Sequence, residues 1–186
     1  MKASMIRVGI LFIAFIGIAL IGGAKMASSQ KISYPNFSPD NKNLIFTYCE
    51  ADDLPCTIGK YSFASQNFTV FPVTVGGSWI HPQYDYDGSR IVFIVRDPDR
   101  YISQIAVMNA DGSGLRVITD DESYKAGPSF SPDGRRIIFL RASVTPDTRS
   151  PDAPSTRTRI TAFDVVEIDF GSSKARQLTD FMFYQA

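Results

Sequence analysis

Three apolar runs of strand length punctuate the chain: Leu44-Ile45-Phe46, Ile91-Val92-Phe93 and Ile137-Ile138-Phe139. They are β-branched and aromatic, which suits a strand covered on both faces. Ahead of each stands Pro-x-aromatic, at Pro35 and Phe37, Pro82 and Tyr84, Pro128 and Phe130. Proline confines the residue before it to extended backbone, so these segments read as short strands too. Between the two strands lies a turn signal: Ser38-Pro39-Asp40-Asn41, Asp85-Tyr86-Asp87-Gly88 and Ser131-Pro132-Asp133-Gly134. Proline presets φ, aspartate bonds its own following backbone, and glycine takes the left-handed conformation. Asn41 stands where the glycine falls, and Tyr86 where the proline falls. Pro39, Asp40, Asp87, Gly88, Pro132, Asp133 and Gly134 are therefore the turn-forming residues.

Two more strands follow in each unit. They are predicted at 58–63 and 68–73, at 105–108 and 115–119, and at 163–168 and 176–179. Gly-, Ser- and Asp-containing turns separate the second and third pairs. The prolines recur at intervals of 47 and 46 residues, and the aromatic and aspartate positions keep that register. A four-stranded antiparallel meander repeated at this period is a β-propeller blade. The prediction is an all-β chain with three blades at about 33–76, 79–121 and 126–181, inside a repeat domain of 30–186.

The first 29 residues are of another kind. Lys2 and Arg7 precede an uncharged, mostly apolar run from 8 to 24. This predicts an N-terminal hydrophobic helix acting as a secretory signal, with Gly22-Gly23-Ala24 or Ala27-Ser28-Ser29 as cleavage region, or as an uncleaved membrane anchor. Either way the repeats are expected outside the cytoplasm, periplasmic or extracellular, and touch a membrane only through residues 8–24.

Pro-x-Phe-Ser-Pro-Asp-Gly-x-x-Ile-x-Phe, then a strand ending in Asn or Asp, a Gly-rich turn and Leu-Thr resembles the Pro-Asp repeat of TolB-like propellers, which is similar to WD repeats. The resemblance covers about residues 34–186 and is best in the third unit. It implies a non-catalytic binding or scaffold protein that contacts protein or glycan partners in the cell envelope. Similar repeats in prolyl-oligopeptidase-type peptidases and polysaccharide lyases supply the alternative, a remnant of a larger propeller protein.

Two departures stand out. The third unit carries extra residues near 143–158, rich in Pro, Ser, Thr, Asp and Arg, which predict a surface loop, either a functional loop or a tolerated decoration. A fourth unit would open just after Ala186. Closed propellers use about four to eight blades. The expectation is thus either self-association that completes the ring or a longer propeller of which this is part.

Composition narrows the chemistry. Lys plus Arg equals Asp plus Glu at 19 each among 186 residues, which argues against nucleic-acid binding. Cys49 and Cys56 flank the connection between the second and third strands of the first unit. A hairpin brings them to cross-strand distance, compatible with a disulfide in an exported protein. His81 is the single histidine, so a four-ligand zinc site from Cys and His is ruled out and any Ser-His-Asp triad must use it. No Gly-x-Ser-x-Gly elbow accompanies it. On an innermost strand it either faces the central channel or is a packed ring. Asp97-Pro98-Asp99 and Asp111-Gly112-Ser113-Gly114 read as hairpin turns, because EF-hand ligand spacing is missing. Asn67-Phe68-Thr69 fits a glycosylation sequon. There is no phosphate-cradling loop or dinucleotide fingerprint, and no catalytic, metal or cofactor residue is assigned.

Overall fold

The computed structural model describes residues 30–146 except 53, 98 and 101, together with 158–160 and 163–180 except 173. The N-terminal helix expected at 8–24 lies outside these residues.

Three four-stranded antiparallel sheets follow one another along the chain, each in sequence order. Blade one is β1 (Lys31–Phe37), β2 (Asn43–Cys49), β3 (Thr57–Ser62) and β4 (Asn67–Val70). Blade two is β5 (Ser78–Tyr84), β6 (Arg90–Arg96), β7 (Ser103–Asn109) and β8 (Arg116–Val117). Blade three is β9 (Tyr124–Phe130), β10 (Arg136–Ala142), β13 (Asp164–Asp169) and β14 (Ala175–Gln177). Between β10 and β13, the short strands β11 (Val144–Pro146) and β12 (Thr158–Ile160) pair with each other. The insertion expected as loop throughout is thus entered and left through a ladder, and 147–157 lie outside the described residues.

The fourth strands are shorter than the apolar pattern predicts. Phe71, Ile118 and Leu178 each still donate one amide bond back to the third strand of their blade. The ladder then passes to a side chain. The Ile105 and Val165 amides donate to the hydroxyls of Thr119 and Thr179 at 2.9 and 2.8 Å. A hydroxyl oxygen accepts in place of a carbonyl, so the bond survives while the backbone turns away.

Each first strand carries the same irregularity. Tyr34 and Pro35 together stand opposite Phe46 alone, His81 and Pro82 opposite Phe93, Gly127 and Pro128 opposite Phe139. This is a β-bulge, where a proline costs no ladder bond.

The core forms two layers between blades. Ile45 and Ile58 of blade one meet Trp79, Ile91, Phe93, Ala106 and Met108 of blade two. Val92, Ile94, Ile105 and Val107 on blade two's other face meet Phe130, Ile137, Phe139, Val166 and Ile168 of blade three. The middle strand β6 is therefore buried on both faces, as its continuous apolar run demands. β10 differs from that expectation: Ile138 and Leu140 are 41% and 39% exposed, whereas Val92 and Ile94 at the matching places of β6 are 0%. Among the described residues, a blade covers β6 on each side, and only one covers β10.

Candidate functional site

The first strands of neighbouring blades, β1, β5 and β9, lie side by side and define the axis. The first bulge residue in each is left-handed: Tyr34 at φ 54°, His81 at 56° and Gly127 at 55°. Glycine adopts this conformation freely, while a tyrosine or histidine is strained there. Two non-glycine residues held so at the axis mark this place as more than a hairpin detail. The Thr47 hydroxyl accepts the His81 backbone amide at 3.1 Å, which helps fix the conformation. The Tyr34 and His81 rings stack, with centroids 3.5 Å apart and planes 27° from parallel. Burial holds the His81 imidazole below its ordinary pKa of 6.5, and the Arg96 charge adds to that. The ring is half-buried and neutral at physiological pH.

Trp79, two residues earlier, packs instead against Phe93 in the core. Arg96 lies with its guanidinium 5.5 Å from the Tyr124 ring centre and donates to the Tyr124 hydroxyl at 2.9 Å. An aromatic pair thus joins blades one and two, and a cation on an aromatic ring joins blades two and three. Among the described residues, no serine or carboxylate hydrogen bond reaches the His81 imidazole. Stacking and charge recognition are what this cluster offers chemically.

Strand direction sorts the connections into two rims. One holds the connection from each second strand to the third and from each blade to the next. Cys49 and Cys56 form a disulfide there. It borders an open cleft of about 450 Å³ lined by Lys31, Asp52, Leu54, Pro55 and Ser78. Lys31 pairs with Asp52, and Arg100 with Glu122 at 2.6 Å. Beneath this rim the ammonium of the fully buried Lys125 donates to the carbonyls of Ser103 and Asp121 and to the Asp121 carboxylate at 3.0–3.2 Å. Burial holds Lys125 below its ordinary value, with Asp121 opposing that shift.

The turn residues occupy the other rim. Asp40, Asp87 and Asp133 each accept the amide two residues on, at 3.0, 2.8 and 3.1 Å. Asn41, Gly88 and Gly134 take φ of 58°, 77° and 66°, and Pro39 and Pro132 precede the aspartates. Hydroxyls of Ser38, Ser89 and Ser131, then these amides, hold the three carboxyls below their ordinary pKa. The Tyr84 phenol beside them is pushed up to about 12 by burial and the Asp40 charge. These bonds close turns and leave the axis cluster to other residues. Tyr34, Arg96 and Tyr124 were not singled out in the sequence. One signal was available: Tyr34 holds the same repeat position as His81, directly before the proline.

Three antiparallel four-stranded blades sharing an axis define a β-propeller. No known family profile matches the chain. It is 34% identical over 55 residues to the Tol-Pal system protein TolB of Wolbachia pipientis (subspecies Culex pipiens, strain wPip), a stretch that is 28% of this chain and 13% of that protein. It is 36% identical over 56 residues to the TolB of Roseobacter denitrificans, 29% of this chain and 13% of that one. The fold superposes on a putative TolB from Agrobacterium tumefaciens at TM-score 0.60 and 25% identity, covering 83% of this chain and 50% of that one. The chain folds as a β-propeller similar to these TolB proteins. It matches a small part of the curated relatives and spans half of that solved structure.

Proposed function

We propose that the chain is an exported, non-catalytic propeller that binds a protein or glycan partner in the cell envelope. The observation that carries this reading is the Tyr34–His81 stack at the axis, held in strained backbone and engaged with a ring instead of an acid or nucleophile. Strain retained at one place points to recognition there. The relatives named as Tol-Pal system proteins support an envelope setting, and the apolar segment at 8–24 supports export. The disulfide suits an oxidising compartment.

A second reading rests on a specific likeness. Dipeptidyl-peptidase 5 of Porphyromonas gingivalis is 38% identical over 58 residues, 29% of this chain and 8% of that protein. A propeller of this type then serves a larger enzyme as a non-reacting part. Affinity capture from an envelope extract, comparing the wild type with Tyr34→Ala/His81→Ala, tests the leading reading. A partner retained by the wild type and lost from the variant supports it. Equal capture by both, or peptide hydrolysis by the purified chain, overturns it. N-terminal sequencing of the mature chain tests export: an intact Met1 on a protein recovered from the cytoplasm counts against it.

A further inference from the structure

Blades two and three are joined by a specific contact. The Arg90 guanidinium of blade two lies 4.7 Å from the ring centre of Phe130 and 5.0 Å from that of Phe170. Arg116 lies 4.9 Å from the Phe170 ring. Arg90 also donates to the Gly134 carbonyl at 3.0 Å. Two cations of one blade therefore cap two phenylalanines of the next.

Among the described residues, one face of blade one and one of blade three stay uncovered, and they carry the halves of this same joint. In blade three, Arg136 stands opposite Asp169 as Arg90 stands opposite Asn109, and Arg176 opposite Glu167 as Arg116 stands opposite Val107. Arg136 and Arg176 thus repeat the arginine pair, with side chains 47% and 69% exposed. In blade one, Phe37 stands opposite Leu44 as Phe130 stands opposite Ile137. Phe63 donates its amide to Lys42 as Phe170 does to Arg135. Phe37 and Phe63 thus repeat the phenylalanine pair. Their ring centres are 6.0 Å apart with planes 16° from parallel, against 6.1 Å and 74° for Phe130 and Phe170, so the positions repeat and the ring tilt does not. Yet Phe37 and Phe63 are 58% and 45% exposed, whereas Phe130 is 9%.

We propose that two copies of this chain join head to tail, with Arg136 and Arg176 of each copy closing over Phe37 and Phe63 of the other. The joint is not a feature of every blade pair: Asn43 and Thr69 hold the arginine places in blade one. That blade one carries the aromatic half and blade three the cationic half therefore says what fits them. The arginines are already oriented. Glu167 accepts from Arg136 at 3.2 Å and from Arg176 at 3.1 Å, a role Asp85 has for Arg90. Ile138 and Leu140 would gain the cover that Val92 and Ile94 have. Asn41 stands where Gly134 meets Arg90, and a Cβ at Gly134 would lie 2.5 Å from the Arg90 guanidinium, so Arg136 must sit differently beside Asn41 than Arg90 does beside Gly134. Two-fold symmetry makes both joints alike and gives six blades, within the range of about four to eight for closed propellers. The pairing stands apart from the partner-binding role proposed above.

Sedimentation equilibrium of the mature chain over a concentration series is expected to show a dimer. Phe37→Ser/Phe63→Ser and Arg136→Glu/Arg176→Glu should each raise the dissociation constant by about tenfold or more, cation–π contacts being strongest when desolvated. Circular dichroism checks that each variant keeps its sheet. An equimolar mixture of the two restores one native joint, so it should associate more tightly than either alone. A wild-type mass of one chain at all concentrations overturns the proposal and leaves both faces to blades of another sequence. Wild-type pairing by the arginine variant also overturns it, because it shows that Arg136 and Arg176 do not form the joint. So does a folded mixture no tighter than its components.

Discussion

Tyr34 and His81 stack face to face across neighbouring blades while both hold a left-handed backbone. Gly127 keeps the same φ in blade three without a side chain, and a Cβ added there meets nothing within 4 Å. Gly127→Ala therefore isolates the backbone cost of the bulge, expected at about 1–2 kcal/mol. Gly76→Ala, which also has open space but no positive φ, is the control. Urea midpoints should fall for the first and stay or rise for the second.

His81 should make stability depend on pH. Its imidazole is held below 6.5, so the unfolded chain binds the proton more readily than the folded one. Stability is then fully present above about pH 6.5 and falls as pH drops from there toward the folded pKa. The carboxyls held below 3.8 titrate further down and leave this window to His81. Urea unfolding of the wild type should weaken between about pH 7 and pH 5. His81→Phe, which keeps a ring on Tyr34, should be flatter there.

The blades were legible because each carries its signals locally. Pro-x-aromatic, the Ser-Pro-Asp-Gly turn and the apolar run lie within fifteen residues in the third unit, 127–141, and the pattern recurs in register in the other two. What the sequence hid were relations between units. That Tyr34 stacks on His81 depends on two strands far apart in sequence lying side by side. The exposure of Ile138 and Leu140 is likewise invisible in the run Ile137-Ile138-Phe139, since periodicity shows apolarity and not which neighbour is present. The arginine-on-phenylalanine joint needs four residues from two blades, none of them in the repeat motif except Phe130. The fourth-strand ends at Thr119 and Thr179 were misplaced because a hydroxyl continues the hydrogen bonding after the ladder stops.

The disulfide closes a short loop, with seven residues' separation between Cys49 and Cys56. Chain-entropy arguments give such a closure about 2–3 kcal/mol. Cys49→Ser/Cys56→Ser should lower stability by that order in urea without removing the sheet signal. The same loop lines the cleft beside Lys31 and Asp52, so limited proteolysis should cut the variant first between residues 50 and 55.

Gly59 tests the outer face of blade one. It stands opposite Phe46 on β2 and Val70 on β4. The Phe46 and Phe68 rings lie over it with centroids 5.7 Å apart and planes 6° from parallel. A Cβ at Gly59 would lie within 2.9 Å of both rings, so one must move. Ala106 and Val166 hold the matching places in the other blades, so a side chain with a Cβ is accommodated there. Overpacking of this kind costs about 1–3 kcal/mol. Gly59→Val should therefore destabilise the chain by that order, and Gly59→Val/Phe68→Ala should recover part of the loss, because it removes one of the two rings. If the single variant unfolds at the wild-type urea midpoint, the rings accommodate the side chain and the packing reading of Gly59 fails.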